Sequence, residues 1–141
     1  MKKNMIVGYC YMVADIFHIG HLRYLQEAKK YCDHLTVGVL TDKATMEKKP
    51  KPIMPYKERA EVIRNIKCVD KVVQQKTYSP IPVVKKLKID ILFESTSHTK
   101  EAIKEAKKYV KVRVNPYYKG QNSTKIKNKI YEYAQTPTIH A

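Results

Sequence analysis

Five short apolar segments, each followed by a stretch with helical spacing, constrain this chain more than any other feature. Strands are predicted over Met5–Val13, His34–Leu40, Lys71–Gln74, Ile89–Phe93 and Val110–Val114. Helices are predicted over Gly20–Tyr31, Tyr56–Ile66, Pro80–Leu87, Lys100–Lys108 and Ser123–Ala134. Strands that alternate with helices form a parallel sheet, whose ligands bind beyond the carboxyl ends of the strands. We therefore predict a single Rossmann-like, doubly wound α/β domain over residues 1–134, with a five-stranded parallel sheet flanked by helices and a tail at 135–141.

The chain is strongly basic, with a formal net charge of +15 over 141 residues. Nearly all of this charge is lysine, spread over every segment, and the only arginines are Arg23, Arg59, Arg64 and Arg113. A nucleic-acid-binding protein usually clusters its arginines and interleaves them with aromatic residues. The composition therefore favours small anionic substrates, and no nucleic-acid partner is expected.

Targeting and redox features point to the cytoplasm. The N-terminal apolar run is too short to span a membrane and no signal-peptide cleavage site follows it, so no membrane insertion is expected. Cys10, Cys32 and Cys68 lie far apart and without zinc-ligand spacing. We predict three free thiols, as is typical of a cytoplasmic protein.

The segment Asp15-Ile16-Phe17-His18-Ile19-Gly20-His21 follows the first predicted strand and leads into the first helix. Free backbone N–H groups and the helix dipole at such a turn favour a phosphate, and two imidazoles can donate to the same anion. Gly20 lacks a Cβ and allows close backbone approach. A pair of capping residues or a metal half-site is the alternative, but further metal ligands are absent nearby and no protein metal site is expected. The segment therefore predicts a nucleoside triphosphate site.

Two further segments offer cations to a phosphate. The lysine loop, residues 43–55, is rich in lysine and proline, and Lys48 or Lys51 could contact substrate if the loop closes. Its alternative is a solvated connection. Arg59 and Arg64 carry the rigid fork that suits phosphate, although a surface ion pair with Glu58 or Glu61 explains either one equally well.

The last predicted helix begins after Gly120-Gln121-Asn122-Ser123-Thr124-Lys125. Gly, Asn and Ser before a helical run are typical of a loop and an N-cap. The same hydroxyl and N–H groups at a second helix N-terminus could contact another phosphate.

Taken in order, these features resemble the cytidylyltransferase family of HxGH nucleotidyltransferases, and within it most of all the glycerol-3-phosphate cytidylyltransferases. The shared motifs are Asp15-x-x-His18-x-Gly20-His21, Thr41-Asp42, the lysine loop, the helix with Arg59 and Arg64, Val69-Asp70-Lys71-Val72, and residues 120–126. The resemblance covers about residues 5 to 131.

The resemblance implies transfer of CMP from CTP to a small phosphorylated alcohol, with glycerol 3-phosphate favoured, release of pyrophosphate, and Mg²⁺ carried by the triphosphate. It also implies a cytoplasmic homodimer. Three alternatives stay open: another acceptor (phosphocholine, phosphoethanolamine or a phosphonate), ATP as the nucleotide, or a non-catalytic nucleotide-binding module.

Residue roles follow from the motifs and the resemblance together. Catalysis is assigned to His18, His21 and Lys48. The candidates for nucleotide binding are Asp15, Gly20, Arg113, Gly120, Asn122, Ser123 and Thr124. The candidates for acceptor binding are Asp42, Lys51, Arg59 and Arg64.

Three segments depart from the family pattern. Met12-Val13-Ala14 stands where the family has Gly-x-Phe, and Ser95-Thr96-Ser97-His98 stands where it has Gly-Asp-Asp-Trp. Tyr117 replaces the arginine of an Arg-Thr-x-Gly element. These positions affect the pocket floor, the neighbourhood of nucleotide and acceptor, and one phosphate contact.

Overall fold

The structure, a computed structural model, describes residues 5–96, 98–116 and 118–137. Its strands are β1 (Val7–Met12), β2 (His34–Leu40), β3 (Lys71–Gln75), β4 (Ile91–Ser95) and β5 (Lys111–Asn115). Its helices are α1 (Ile19–Lys29), α2 (Asp42–Thr45), α3 (Tyr56–Arg64), α4 (Ile81–Lys86), α5 (Lys100–Ala106) and α6 (Ser123–Gln135). All neighbouring strands are parallel, in the order β3-β2-β1-β4-β5. The predicted doubly wound α/β fold is confirmed.

The strand order reverses at the centre of the sheet. From β1 the chain moves outward to β2 and β3, and then returns to place β4 on the other side of β1. Open parallel sheets bind their ligands at such a switch point, in the crevice beyond the carboxyl ends of the two strands. The ends of β1 and β4 therefore mark where a site should lie.

The core lies on both faces of the sheet, as in other parallel sheets. Successive strand residues point to opposite faces, so Cys10 and Phe93 join one buried cluster while Tyr9 and Leu92 join the other. All three cysteines are free thiols, and Cys10 is fully buried.

All boundaries of the ten predicted elements lie within two residues of the observed ones. The fourth strand begins at Ile91 rather than Ile89, because β4 pairs with β1 only from Gly8 and Ile91 onward. The lysine loop begins with one regular turn, α2, which Thr41 caps by accepting the Ala44 N–H at 3.0 Å.

Helix α6 is the least buried element. Along Ser123–Gln135, all of which the structure describes, no residue is fully buried, and Ile130, Tyr131 and Tyr133 are exposed. The predicted tail from 135 is described only to residue 137, so residues 138–141 lie outside the described part of the chain. None of the helices in that part has the length and apolar character needed to cross a membrane.

Helix α4 ends at a left-handed residue that is not glycine. Lys88 has φ 51° and is exposed, just after the C-cap residue Leu87. A side chain in this conformation costs about 1 kcal/mol, and glycine is the preferred residue there.

We expect Lys88→Gly to raise the free energy of unfolding in urea by about 1 kcal/mol. Lys86→Gly, inside the helix, should lower it by a similar amount; a Lys88→Gly variant no more stable than wild type would contradict the strain.

Candidate active site

One cavity of about 790 Å³ lies at the carboxyl ends of β1 and β4. Its walls come from the turn after β1, the start of α1, the lysine loop, the segment after β4 and the start of α6. The polar and charged residues that line it are Tyr11, Asp15, His18, His21, Tyr24, Thr45, Lys49, Ser95, His98, Tyr118, Gln121, Asn122, Ser123, Thr124, Lys125 and Lys127. The cavity thus lies at the switch point and brings together segments that are more than 100 residues apart in sequence.

The turn between β1 and α1 is held in a strained conformation. Ala14 (φ 60°) and Ile16 (φ 51°) are both left-handed, a region that is sparsely populated for residues with a Cβ and least of all for β-branched ones. Ser123 Oγ donates to the carbonyl oxygen of Asp15 at 2.9 Å, so the start of α6 helps to fix the turn. Such strain persists where the surroundings over-determine the backbone, as at functional sites.

The hydrogen bonds of His18 and His21 define which ring nitrogen faces a ligand. His18 Nδ1 accepts the Gly20 N–H at 2.9 Å and caps α1, while His21 Nδ1 accepts the His18 N–H at 3.1 Å. A neutral imidazole that accepts at Nδ1 carries its proton on Nε2. Capping uses Nδ1, and anion binding would use Nε2. The two interpretations of these histidines, as capping residues and as anion ligands, are therefore compatible.

Burial keeps both rings uncharged at neutral pH. Burial lowers the pKa of His18, and it lowers the pKa of His21 to about 3, with a further contribution from the neighbouring His18. The two ring centroids are 3.9 Å apart. The pair therefore presents two adjacent neutral N–H donors to the cavity.

Gly20 serves the packing of the cavity wall. A Cβ at this position would lie 2.8 Å from the carbonyl oxygen of Gln121. The loop before α6 thus packs directly on the start of α1, and both helix N-termini border the same cavity. This close approach is between two backbone segments of the chain.

Asp15 connects the β1–α1 turn with two other walls. Its carboxylate accepts the N–H groups of Ile53 (2.9 Å) and Met54 (3.0 Å) and pairs with Lys127 Nζ at 3.0 Å. Burial opposes ionisation of Asp15, but these hydrogen bonds and the lysine outweigh it and lower the pKa of the carboxyl. Asp15 therefore ties the lysine loop and α6 to the turn as a charged group.

The start of α6 has the geometry of a phosphate site. Asn122 caps the helix by accepting the Lys125 N–H at 2.8 Å. Asn122, Ser123 and Thr124 line the cavity, whereas Gly120 lies outside its lining. A 13-residue helix carries its positive dipole end here, where anions are stabilised.

The lysine loop reaches the cavity through a different lysine from those selected by the sequence. Lys49 lines the cavity, while Lys48 and Lys51 are exposed outside it. Lys48 Nζ lies 5.6 Å from the centroid of the Tyr78 ring. Neighbouring lysines in an irregular loop carry no periodic signal, so the sequence could select the loop but not the residue.

The prediction that Arg59 binds the acceptor is corrected by the structure, because the Arg59 side chain is fully buried away from the cavity. Its guanidinium donates to the carbonyl oxygens of Val13 (2.5 Å), Leu40 (2.9 Å) and Met54 (2.9 Å) and to the Asp42 carboxylate (2.6 Å). With its donors engaged in this way, Arg59 does not face the cavity, and it does not form the alternative pair with Glu58 or Glu61. Arg59 instead joins the ends of β1 and β2, and it also pairs with Asp42, another of the four predicted acceptor-binding residues.

The two remaining arginine candidates also lie outside the cavity lining. Arg64 is exposed at the end of α3. Arg113 on β5 donates to the Tyr31 hydroxyl at 2.7 Å and stacks on that ring, with 3.6 Å from its Cζ to the centroid. Tyr117 and Ser97, two of the predicted departures, lie outside the described residues.

Of the Tyr11–Glu94–His98 cluster, which borders the cavity after β4, the sequence marked only His98, as part of a departure from the family pattern and without a role. Glu94 is buried at the end of β4, and Tyr11 donates to its two oxygens at 2.9 and 3.0 Å. His98 Nδ1 is hydrogen-bonded to the same carboxylate. The sequence signal for Glu94 was a charged residue directly after the apolar segment Ile89–Phe93.

Among residues 5–96, 98–116 and 118–137, no three His, Cys, Asp or Glu side chains are grouped so that they could hold a metal ion. Both oxygens of Asp15, the carboxylate nearest the histidine pair in sequence, accept backbone N–H groups.

The cavity at the switch point of this α/β domain is thus bordered by two helix N-termini, two neutral imidazoles and several lysines. The model of the cytidylyltransferase-like family matches residues 11–132. The chain therefore belongs to the cytidylyltransferase-like family, and the resemblance inferred from its motifs is confirmed at the level of that family.

Curated relatives place the chain in the HxGH nucleotidyltransferase superfamily. It is 34% identical over 118 residues to the bifunctional protein HldE of Campylobacter fetus, which covers 82% of this chain and 26% of that protein. It is 38% identical over 92 residues to an FAD synthase of Ferroglobus placidus, which covers 65% of this chain and 57% of that protein. The chain thus spans about a quarter of the first relative and little more than half of the second.

Solved structures agree with the fold. A lipopolysaccharide core biosynthesis protein from Thermoplasma volcanium superposes with a TM-score of 0.71 and 29% identity, covering 84% of this chain and all of that one. A pantoate-β-alanine ligase from Francisella tularensis superposes with a TM-score of 0.56 over 97% of this chain and 74% of that one. At 15% identity, the second match shows the fold alone.

Proposed function

We propose that this protein transfers a nucleotidyl group from a nucleoside triphosphate, with CTP favoured, to a phosphorylated small molecule and releases pyrophosphate. One observation carries the proposal: His18 and His21 use Nδ1 internally and so offer two adjacent neutral Nε2–H donors. These donors stand between the N-termini of α1 and α6 in a single cavity. Neutral donors at a polyphosphate site fit stabilisation of growing oxygen charge rather than proton transfer.

The proposed reaction needs no protein base. A phosphate oxygen of the acceptor attacks the α-phosphorus, and the bond from that phosphorus to the oxygen bridging to the β-phosphorus breaks. Pyrophosphate leaves with the bonding electron pair. Since the second pKa of a phosphate monoester is about 6, the attacking oxygen is already largely ionised at neutral pH. Catalysis then consists of aligning two polyanions and stabilising charge on the α-phosphate and the leaving group.

Each wall of the cavity has a proposed part in this task. His18 and His21 donate to the α-phosphate and its leaving oxygen. Thr124 and the first N–H groups of α6 bind the outer phosphates, and Lys49 neutralises them. Lys48 and Lys51 would reach the phosphates only if the lysine loop closes further. Asp15 and Gly20 act by holding the turn and the two helix N-termini together.

Mg²⁺ is proposed to enter with the triphosphate as part of the substrate. The Asp15 carboxylate is engaged with Ile53, Met54 and Lys127, which supports a metal carried by phosphate oxygens over one caged by the protein. Bound in this way, Mg²⁺ would neutralise phosphate charge.

Adenylyl transfer from ATP is the second candidate. The relative named FAD synthase supports it, because FAD contains an adenylyl group. Glycerol 3-phosphate is proposed as the first acceptor to test, on the likeness of residues 120–126 to the family's closing motif. Ser95, Thr96 and His98 replace family residues expected near the acceptor, so phosphocholine, phosphoethanolamine and phosphonates belong in the same test.

We further propose a cytoplasmic homodimer. The exposed side chains of Ile130, Tyr131 and Tyr133 on α6 support the dimer, since a second copy would cover them. The three free thiols are typical of a reducing compartment.

Pyrophosphate release tests the proposed function. The purified protein is assayed with Mg²⁺ and either CTP or ATP, with each acceptor in turn and without acceptor. We expect release that requires both CTP and a phosphorylated acceptor. Release with ATP alone among the nucleotides would support the second candidate. Tight CTP binding with no release from any acceptor would contradict catalysis and support the binding module.

A further inference from the structure

His98 is held at the cavity wall by a buried carboxylate. Glu94 is 1% exposed, and its oxygens accept from the Tyr11 hydroxyl at 2.9 and 3.0 Å and from His98 Nδ1. The His98 side chain is itself 26% exposed and lines the cavity. One edge of the ring is therefore anchored inside the protein while the other remains accessible.

The orientation of the His98 ring is fixed from two further directions. The His98 N–H donates to the Ser95 carbonyl oxygen at 3.0 Å, which closes a turn directly after β4. The ring stacks on Tyr11 with centroids 5.4 Å apart and an interplanar angle of 19°. Polar groups held in this way cost little further ordering when a ligand binds.

His98 has the opposite hydrogen-bond pattern to His18 and His21. Those two rings accept at Nδ1, whereas His98 Nδ1 faces a carboxylate and so carries a proton. Nε2 is left as the ring nitrogen available to a ligand. A second proton, on Nε2, would give the ring a positive charge directly beside the Glu94 carboxylate, which would balance it. Nε2–H is then a charge-assisted donor, which is the kind that binds anionic oxygens most strongly.

We propose that His98 Nε2–H binds a phosphoryl or phosphonyl oxygen of a substrate and thereby helps to determine which acceptor is used. This inference rests on the proposed nucleotidyl transfer. The acceptor is the favoured source of that oxygen, because the triphosphate-facing groups come from α1, α6 and the lysine loop, whereas His98 follows β4. Glu94 and Tyr11 are positioning residues that act through His98.

Two substitutions distinguish the role of His98 Nδ1 from that of His98 Nε2. In His98→Asn the amide can still donate to Glu94, but the donor at the Nε2 position is lost. In His98→Gln the longer side chain can place an amide N–H near that position. We expect His98→Asn to raise the KM of the acceptor about 10- to 100-fold, the scale of a hydrogen bond to a charged group. The KM of the nucleotide should stay unchanged, and His98→Gln should recover part of the loss.

The outcomes assign the source of the oxygen or overturn the inference. A raised KM for the nucleotide instead would retain the donor role and assign it to the triphosphate. Unchanged KM values for both substrates would overturn the proposal, as would a His98→Gln variant as impaired as His98→Asn. His34→Asn, at the opposite end of β2 from the cavity, is the matched control and should behave as wild type.

A binding measurement on the wild-type protein is independent of turnover and of variant folding. The Cε1–H signal of His98, assigned by its absence from His98→Asn, is followed by NMR while methylphosphonate is added, with glycerol as the uncharged control. We expect a saturable shift with methylphosphonate and none with glycerol. A protein that shows this shift but releases no pyrophosphate would retain the His98 site and contradict the proposed function. No shift with methylphosphonate or with Mg²⁺–CTP would overturn the site.

Discussion

His18→Asn and His21→Asn are each expected to lower kcat by about 100-fold or more, the cost of losing one donor to a developing oxyanion. The same variants are expected to fold normally. At His18, the N-cap of α1, asparagine is a strong capping residue whose Oδ1 can accept the Gly20 N–H. At His21, the third residue of the helix, the asparagine Oδ1 takes the place of Nδ1 and can accept the His18 N–H. Asparagine cannot supply the Nε2–H donor, because its side chain is shorter. The substitution therefore removes the proposed Nε2–H donor and keeps the acceptor of the backbone N–H.

The measurement pairs initial rates of pyrophosphate release with thermal unfolding for each variant. His18→Gln and His21→Gln, which can place an N–H near the Nε2 position, should retain more activity than the asparagine variants. His34→Asn controls for the loss of a histidine outside the cavity. An asparagine variant that folds and keeps kcat within about threefold of wild type would contradict the assignment of that histidine as a donor.

The two histidines could be found from sequence because their constraints are local. A strand, a turn with Gly20 and a helix start are contiguous in the chain, and the hydrogen bonds of His18 and His21 join residues at most three positions apart. The alternation of strands and helices was sufficient for the fold for a similar reason. Each βαβ unit has one favoured hand, so the order of elements leaves few possible topologies.

The residues that sequence reasoning misplaced or missed depend on long-range contacts. Arg59 hydrogen-bonds to a carbonyl 46 positions away, and Tyr11 reaches Glu94 across 83 positions. No periodicity within α3 or β4 indicates such a partner. The scarcity of arginine did mark Arg59 as unusual. The structure shows that the Arg59 side chain satisfies a set of backbone carbonyl oxygens rather than facing the cavity.

That set of carbonyls also explains why the site depends on a residue outside it. The strained turn after β1 starts at Val13, whose carbonyl oxygen is held by Arg59, and the lysine loop returns to the turn at Met54, held by the same side chain. Asp15 then binds the N–H groups of Ile53 and Met54 from the other side. The backbone that carries His18 is therefore fixed through Arg59 as well as through α6.

Arg59→Met is accordingly expected to lower the free energy of unfolding by about 3–5 kcal/mol, the cost of breaking a buried ionic network by removing one partner. The carbonyl oxygens of Val13, Leu40 and Met54 would lose this donor, and Asp42 would lose its charge partner. Methionine fills similar space, so a cavity contributes little to the loss.

Urea unfolding of Arg59→Met, Arg59→Lys and Arg64→Met checks this expectation. Lysine keeps the charge but lacks the rigid fork that spans four acceptors, so Arg59→Lys should recover only a minor part of the stability. Arg64→Met changes an exposed arginine in the same helix and should stay within about 0.5 kcal/mol of wild type. If Arg59→Met were no less stable than Arg64→Met, Arg59 would not be the residue that holds the ends of β1 and β2 together. The strained turn would then depend on Asp15 and Ser123 alone.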